Sequence, residues 1–327
     1  MKITNWAIFF ICIFVPFYLI MDFRTGDQKT ALALSDQYSA TLHTAVQDAS
    51  QMLNTNVLQE YEAGYQSRKF FFANKERALD TFFRTLYLNF DVVNDLVRQG
   101  ALAGYIPAVA VIDYDGYDVY AIDEYRDANG ERVFKHMWRP KKPYSYSDNR
   151  GNSINFTLDS YVYAYDAYAR AWVEGFREDL AGTTNIPLLD NAADFELMRK
   201  SVIVKSIQQD LAYYINKHNE YATRYGIHYT FKLPQISQEQ WINSIDDIGI
   251  MAFIQGIPIG DQFYNNYALG GGRLVKKTEI KGAVNPATGI KYYYPSTCSY
   301  GYREMETFSS EKDAAAAGYY PKGCMNR

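Results

Sequence analysis

The chain has 327 residues, with 33 lysines and arginines against 37 aspartates and glutamates, a formal charge of −4 and a pI near 5.7. That balance leaves no basic excess, so nucleic acid is excluded as an expected partner. Thirty tyrosines against four histidines suit a sheet protein, because a tyrosine ring packs while its hydroxyl stays wet.

The run from Trp6 to Met21 carries no charge and is not repeated downstream. About 17 apolar residues at 1.5 Å rise give roughly 25 Å, a marginal span of a ~30 Å hydrocarbon core, with Asn5, Trp6 and Tyr18 at the interfaces. The nearest small-x-small cleavage site, Ala31-Leu32-Ala33, lies too far downstream for a secretory signal, so residues 1–23 read as an uncleaved transmembrane anchor. Lys2 opposes Arg24 and Lys29, and the positive-inside rule barely discriminates. Cys12 lies inside the run while Cys298 and Cys324 lie near the C-terminus, the usage expected where disulfides form. We therefore expect a single-pass protein of the cell membrane, with the lipid bilayer as a partner, the N-terminus cytoplasmic and the bulk extracytoplasmic.

Residues 24–60 read as an amphipathic stalk, in which Leu34, Tyr38, Leu42, Ala45, Ala49 and Met52 recur at three- and four-residue steps. Anchor and stalk form either one rod of ~50 residues and ~75 Å, with a bend at Pro16 or Gly26, or two separate helices. A helix over Lys75 to Phe90, capped by Asn74, carries the apolar face Leu79, Phe82, Phe83, Leu86 and Phe90. Strands follow: a hairpin from Ile106 to Tyr125 around Asp115-Gly116, a strand over Arg132 to Trp138, and an extended segment over Ser153 to Tyr165. Ala193 to Tyr225 is helical, with Gly226 as its C-cap. Ile227 to Leu233 reads as a strand, Ser237 to Gln240 as a capping box, and Ile248 to Ile257 as a central strand. The fold class is α+β: an N-terminal transmembrane helix continuing into the stalk, an antiparallel-sheet domain with packed helices over 61–285, and a small cysteine module over 286–327.

Gly270-Gly271-Gly272 before Lys276-Lys277-Thr278 lacks the context of a phosphate loop and reads as a flexible turn. Asp113, Asp115, Asp118 and Glu124 imitate a calcium loop, but Asp118 stands where glycine is needed, so the hairpin is preferred. Histidines 43, 136, 218 and 228 show no metal-ligand spacing, and no nucleophile-elbow or zinc-hydrolase string occurs. We read the chain as non-catalytic, with no cofactor or metal.

The apolar helix, amphipathic stalk and sheet-rich domain together resemble the pseudopilins of bacterial type II secretion and tight-adherence (Tad-type) pilus systems. That resemblance implies a structural subunit beside pilin-like or platform proteins, with Leu34, Tyr38, Leu42, Ala45, Ala49 and Met52 as its assembly face. The prepilin-peptidase signature is missing, since no glycine precedes the run and no glutamate lies within or beside it. Between Lys291 and Cys324, YYYPSTC and FSSEKDAAAAGYYPKGC resemble the small zinc module of the Ada DNA-repair family. Tyr294 and Lys322 occupy positions where ligands stand in that module, and two cysteines cannot hold a structural zinc. The resemblance then implies a degenerate module stapled by a Cys298–Cys324 disulfide, contributing on the order of 3 kcal/mol. A Cache-type ligand-binding sensor that signals through a partner is the alternative function.

Overall fold

The structure is a computed structural model that describes residues 3–54, 65, 67, 69–70, 73–271, 280–286, 288–295, 300–308, 314–315 and 317–322. The chain divides into two compact units, Met1–Gly272 and Arg273–Arg327. In the first, α1 (Ile3–Leu53) is one helix of 51 residues, ~77 Å long at 1.5 Å per residue. Thr25 does not interrupt it, because its hydroxyl donates to the Met21 carbonyl one turn back (2.7 Å).

Among the described residues no helix is long and apolar enough to cross a membrane. This corrects the transmembrane anchor expected over 1–23 and, with it, the single-pass, cell-membrane and extracytoplasmic assignments. The physical reason is length: the uncharged run stops at Asp22 and Arg24, short of the ~30 Å that a hydrocarbon core demands. Nor is there a disulfide pair among the described residues, where Cys12 is free and exposed. Cys298 and Cys324 lie outside those residues, and the disulfide reading of the tail is dropped.

Helix α2 (Lys75–Asn89) begins where Asn74 accepts from the Arg77 amide at 3.0 Å, and α3 (Leu96–Ala103) where Asp95 accepts from the Val97 and Arg98 amides. The strands are β1 (Ala108–Ile112), β2 (Gly116–Arg126), β3 (Arg132–Trp138), β4 (Lys142–Ser147), β5 (Ser153–Phe156), β6 (Tyr161–Asp166) and β7 (Ala171–Phe176). After the short helices α4 (Arg177–Leu180) and α5 (Pro187–Asp190) come α6 (Ala192–Arg224), α7 (Gln238–Ser244), β8 (Gly249–Ile259) and β9 (Gln262–Gly271). The sheet has nine strands in the order β7-β6-β5-β4-β2-β1-β8-β9, with β3 also on β2. Every pairing in it is antiparallel, so this unit is α+β.

Residues opposite one another in the ladder share a face. Val109, Tyr120, Ala252 and Ala268 therefore point one way, and Ala110, Val119 and Met251 the other. Helices α1 and α2 cover the first face, where Lys75 reaches Asp118 at 2.7 Å. Helix α6 covers the second, where the Tyr117 hydroxyl donates to Asp210 at 2.9 Å and to the Ser206 carbonyl at 3.0 Å.

Several local expectations change. The β1–β2 hairpin forms where Asp115-Gly116 placed it, but Gly116 is not left-handed. It is required because a Cβ there would lie 2.4 Å from the Lys142 carbonyl oxygen. The segment Ser153 to Tyr165 breaks into β5 and β6 at a turn in which the Thr157 hydroxyl donates to the Tyr161 carbonyl (2.8 Å). Ile227 to Leu233 forms no strand. Side-chain amides replace its ladder: Asn219 brackets Phe231 (2.7 and 3.0 Å) and Gln255 brackets Lys232 (3.0 and 2.6 Å). Gly270 and Gly271 end β9 instead of forming a flexible turn, while Gly272 and Lys276-Lys277-Thr278 lie outside the described residues.

The second unit is a sheet ordered β12-β10-β11-β13, from β10 (Ile280–Val284), β11 (Lys291–Pro295), β12 (Arg303–Phe308) and β13 (Tyr320–Pro321). Tyrosines fill it: Tyr319 packs with Ile280 and Ala314, and Tyr294 with Ala283.

Gly270 sets how closely α1 seats on the sheet, because a Cβ there would lie 2.8 Å from Val46 Cγ1 and from the Val46 carbonyl oxygen. Gly270→Ala is expected to lower stability by about 2 kcal/mol, since backbone cannot step aside as a flexible side chain would. Gly271→Ala, with no atom within 4 Å of its Cβ position, should stay within about 0.5 kcal/mol of wild type in urea denaturation.

Candidate functional site

Leu42, Ala45 and Ala49, expected on the assembly face, are fully buried, and Leu34, Tyr38 and Met52 are partly buried against the same core. Tyr38 stacks on Phe90 at 4.9 Å and meets Tyr264 edge-on at 5.5 Å. The Ser39 hydroxyl bonds the Tyr264 hydroxyl and accepts from the Asn266 amide, each at 3.0 Å. That stripe is therefore used within the chain, and the exposed part of α1, residues 10–30, lies nearer the N-terminus.

The carboxylates that imitate a calcium loop are paired with basic side chains, Glu124 with Arg132 at 3.1 Å and the three aspartates with lysines. Lys141 Nζ lies 3.0 Å from Asp113 and 2.5 Å from Asp115, and Lys75 holds Asp118. Burial pushes the Asp113 and Asp118 carboxyls up, and the lysine facing each one opposes the rise. Asp123 is gripped by Arg139 and Lys217 together. Among the described residues no three His, Cys, Asp or Glu side chains are placed to hold a metal.

His136 and His218, distant in sequence, come together with ring centroids 5.9 Å apart. His218 is fully buried, with Nε2 at 2.8 Å from the Gly104 carbonyl and Nδ1 without a partner among the described residues. A carbonyl only accepts, so Nε2 carries a proton, and burial favours the neutral ring. Burial lowers its pKa to about 4.

One cavity, of about 340 Å³, gathers chemistry that sequence reading missed. Helix α2 lines it with Glu76, Asp80, Phe83 and Tyr87, one stripe at helical spacing, and the sheet adds Tyr120, His136 and Trp138. Tyr120 meets Trp138 at 5.4 Å and 63°, and Phe83 at 6.2 Å and 70°. Acids and aromatics sharing one helical stripe were the available signal, but their β2 and β3 partners are readable only from the pairing. A second cavity of about 490 Å³ mixes uncharged polar groups such as Asn243, Ser244 and Asn266 with apolar ones such as Ile112, Ile250 and Leu269.

In the C-terminal unit, Tyr294 is buried, and its hydroxyl has no hydrogen-bond partner among the described residues. Lys322 Nζ lies 4.7, 5.3 and 4.9 Å from the rings of Tyr292, Tyr300 and Tyr302, and donates to the Tyr302 hydroxyl at 2.5 Å. The position aligned with a zinc ligand is thus a lysine seated among tyrosines.

No protein-family model, no curated protein and no solved structure matches this chain.

Removing Lys141 leaves two carboxylates beside low-dielectric surroundings. Lys141→Met is expected to cost about 3 kcal/mol in chemical denaturation, against under ~1 kcal/mol for Lys142→Met, whose pair with Asp210 is half exposed.

Because the folded pKa of His218 lies below the unfolded value of 6.5, the unfolded state takes up the proton first as pH falls. His218 therefore stabilises the fold fully above about pH 6.5, and that stability, up to about 3 kcal/mol, is lost between pH 6.5 and 4. Urea midpoints for His218→Gln should fall less than wild type over that window, and parallel curves would refute the assignment.

Proposed function

We propose that this protein is a non-catalytic, pseudopilin-like subunit that assembles through the N-terminal half of α1, packed against the same helix of further copies. One observation supports the reading: residues 10–30 are exposed on every side of the helix. The five consecutive residues Phe17, Tyr18, Leu19, Ile20 and Met21 are 60, 70, 46, 55 and 53% accessible. Five consecutive positions turn through the whole circumference, and a helix apolar all round is one that several neighbours bury. Copies of the same helix offer the matching length and character. The stalk stripe from Leu34 to Met52 orients this segment by holding its base on the sheet. A ligand-binding role of the Cache type is favoured by the aromatic cavity alone.

Cys12, exposed within the run, reports on such packing. With Cys298 and Cys324 changed to serine, mild oxidation of the full chain should crosslink Cys12 between copies, and light scattering should show oligomers. Ile13→Glu with Phe17→Glu should weaken association by tenfold or more, because an unpaired charge is costly to bury. Tyr168→Glu, at an 84% exposed site, should not. A monomer at all concentrations, or association indifferent to the glutamates, would overturn the reading.

A further inference from the structure

We propose that the cavity between α2 and the β2–β3 ribbon binds a small organic cation bearing a quaternary ammonium group. Its walls are ring faces. Phe83, Tyr87, Tyr120 and Trp138 are all half-buried, so each still presents surface to whatever enters. The near-perpendicular contacts of Tyr120 with Trp138 and Phe83 turn those rings into adjoining sides of a box, and a cation is attracted to the electron-rich faces of such rings.

Charge points the same way. Glu76 and Asp80 sit one turn apart on the rim, exposed, and neither has an ion-pair partner among the described residues. Like charges at that spacing raise the energy of a helix, and a bound cation would relieve the repulsion. His136, stacked on Tyr120 at 5.7 Å, is held neutral by burial and adds no opposing charge. The chain already seats one cation on this surface: Lys75 Nζ lies 5.5 Å from the Trp138 ring centre, its charge balanced by Asp118.

The scarcity of acceptors along the described walls, whose carboxylates Glu76 and Asp80 stand at the rim, selects among cations. A primary ammonium brings three N–H donors that need oxygen partners, whereas the interior here offers ring faces and the hydroxyls of Tyr87 and Tyr120. A quaternary head has no donor to satisfy. The volume of about 340 Å³ lies at the small end of ligand sites, enough for a trimethylammonium head with a short substituent. A phosphate next to the head would meet Glu76 and Asp80, so the free cation is favoured over a phosphocholine headgroup.

Choline is the probe, titrated into the full chain by calorimetry and by saturation-transfer NMR on its methyl resonance. The comparators are its neutral isostere 3,3-dimethylbutanol, and phosphocholine, both free and on phosphatidylcholine vesicles. Saturable choline binding is expected, with the isostere and phosphocholine each weaker by roughly tenfold. Trp138→Leu should weaken choline by roughly 5- to 30-fold. Asp80→Asn, an exposed helix-surface change that spares the fold, should weaken choline several-fold while leaving the isostere unchanged. No saturable binding to wild type, equal binding of the isostere, phosphocholine or vesicles bound as tightly as choline, or indifference to Asp80→Asn would each overturn the proposal.

Discussion

Strand β1 is buried at every one of its five positions, Ala108 to Ile112, and that two-sided burial dictates the architecture around it. A strand covered on one face alternates apolar and polar residues; this one does not alternate, so helices must lie on both sides. On one side the need is met by α1 and α2, whose Leu42, Val46, Ala49, Phe82 and Leu86 are fully buried. On the other it is met by α6, with Ile203, Ile207, Leu211 and Ile215. Small residues control the spacing. Gly270 lets the α1 backbone approach β9, and Ala45 and Ala49 keep the helix face low enough for it to do so.

Several acidic side chains act at the chain reversals of the sheet. Asp166 accepts from the amides of Tyr168, Ala169 and Asn185 (3.0, 2.9 and 2.7 Å). Asp148 closes the β4–β5 turn by accepting from the amides of Arg150 and Asn152, both at 2.9 Å. Asp159 gathers the hydroxyls of Ser67, Tyr114 and Thr157. Carboxylates replace missing ladder partners there, whereas Asp113, Asp115 and Asp118, whose spacing imitates a metal loop, are held by lysines. Glu76 and Asp80 differ in kind, since they border a cavity and bond no turn.

What was legible in the sequence is what neighbouring residues decide. Asn74 and Ser237 cap their helices because the groups they satisfy lie within three residues, and Ser237 forms its capping box with Gln240. Gly226 takes a positive φ of 75° just past α6 for the same local reason. Strand β3 follows an Asn129-Gly130 turn and begins and ends where patterning placed it. Illegible features depended on distant partners. Strands β4 and β7 have only six residues each and are largely exposed, so their identity comes from pairing. Ile227 to Leu233 has strand composition, but Asn219 and Gln255 satisfy its backbone first. The cavity combines α2 with strands more than 30 residues onward, beyond any periodicity. For Trp6 to Met21, composition revealed a demand for burial but not the means of meeting it.

Helix α1 shows how one continuous backbone serves two kinds of burial. Its C-terminal half has a single apolar stripe, and packing on α2, β8 and β9 holds it helical. Residues 10–30 of its N-terminal half are exposed, without the tertiary burial from which most helices draw stability. Forming the first turn is the costly step in an isolated helix, and the docked half has already formed it. Each further residue toward the N-terminus then adds one hydrogen bond to an existing helix, which is favourable for good helix formers and close to neutral for β-branched and aromatic ones. The docked half thus supplies direction and nucleation. Contacts on the exposed apolar half have to supply the remaining stability, so the order of that half is tied to its being covered.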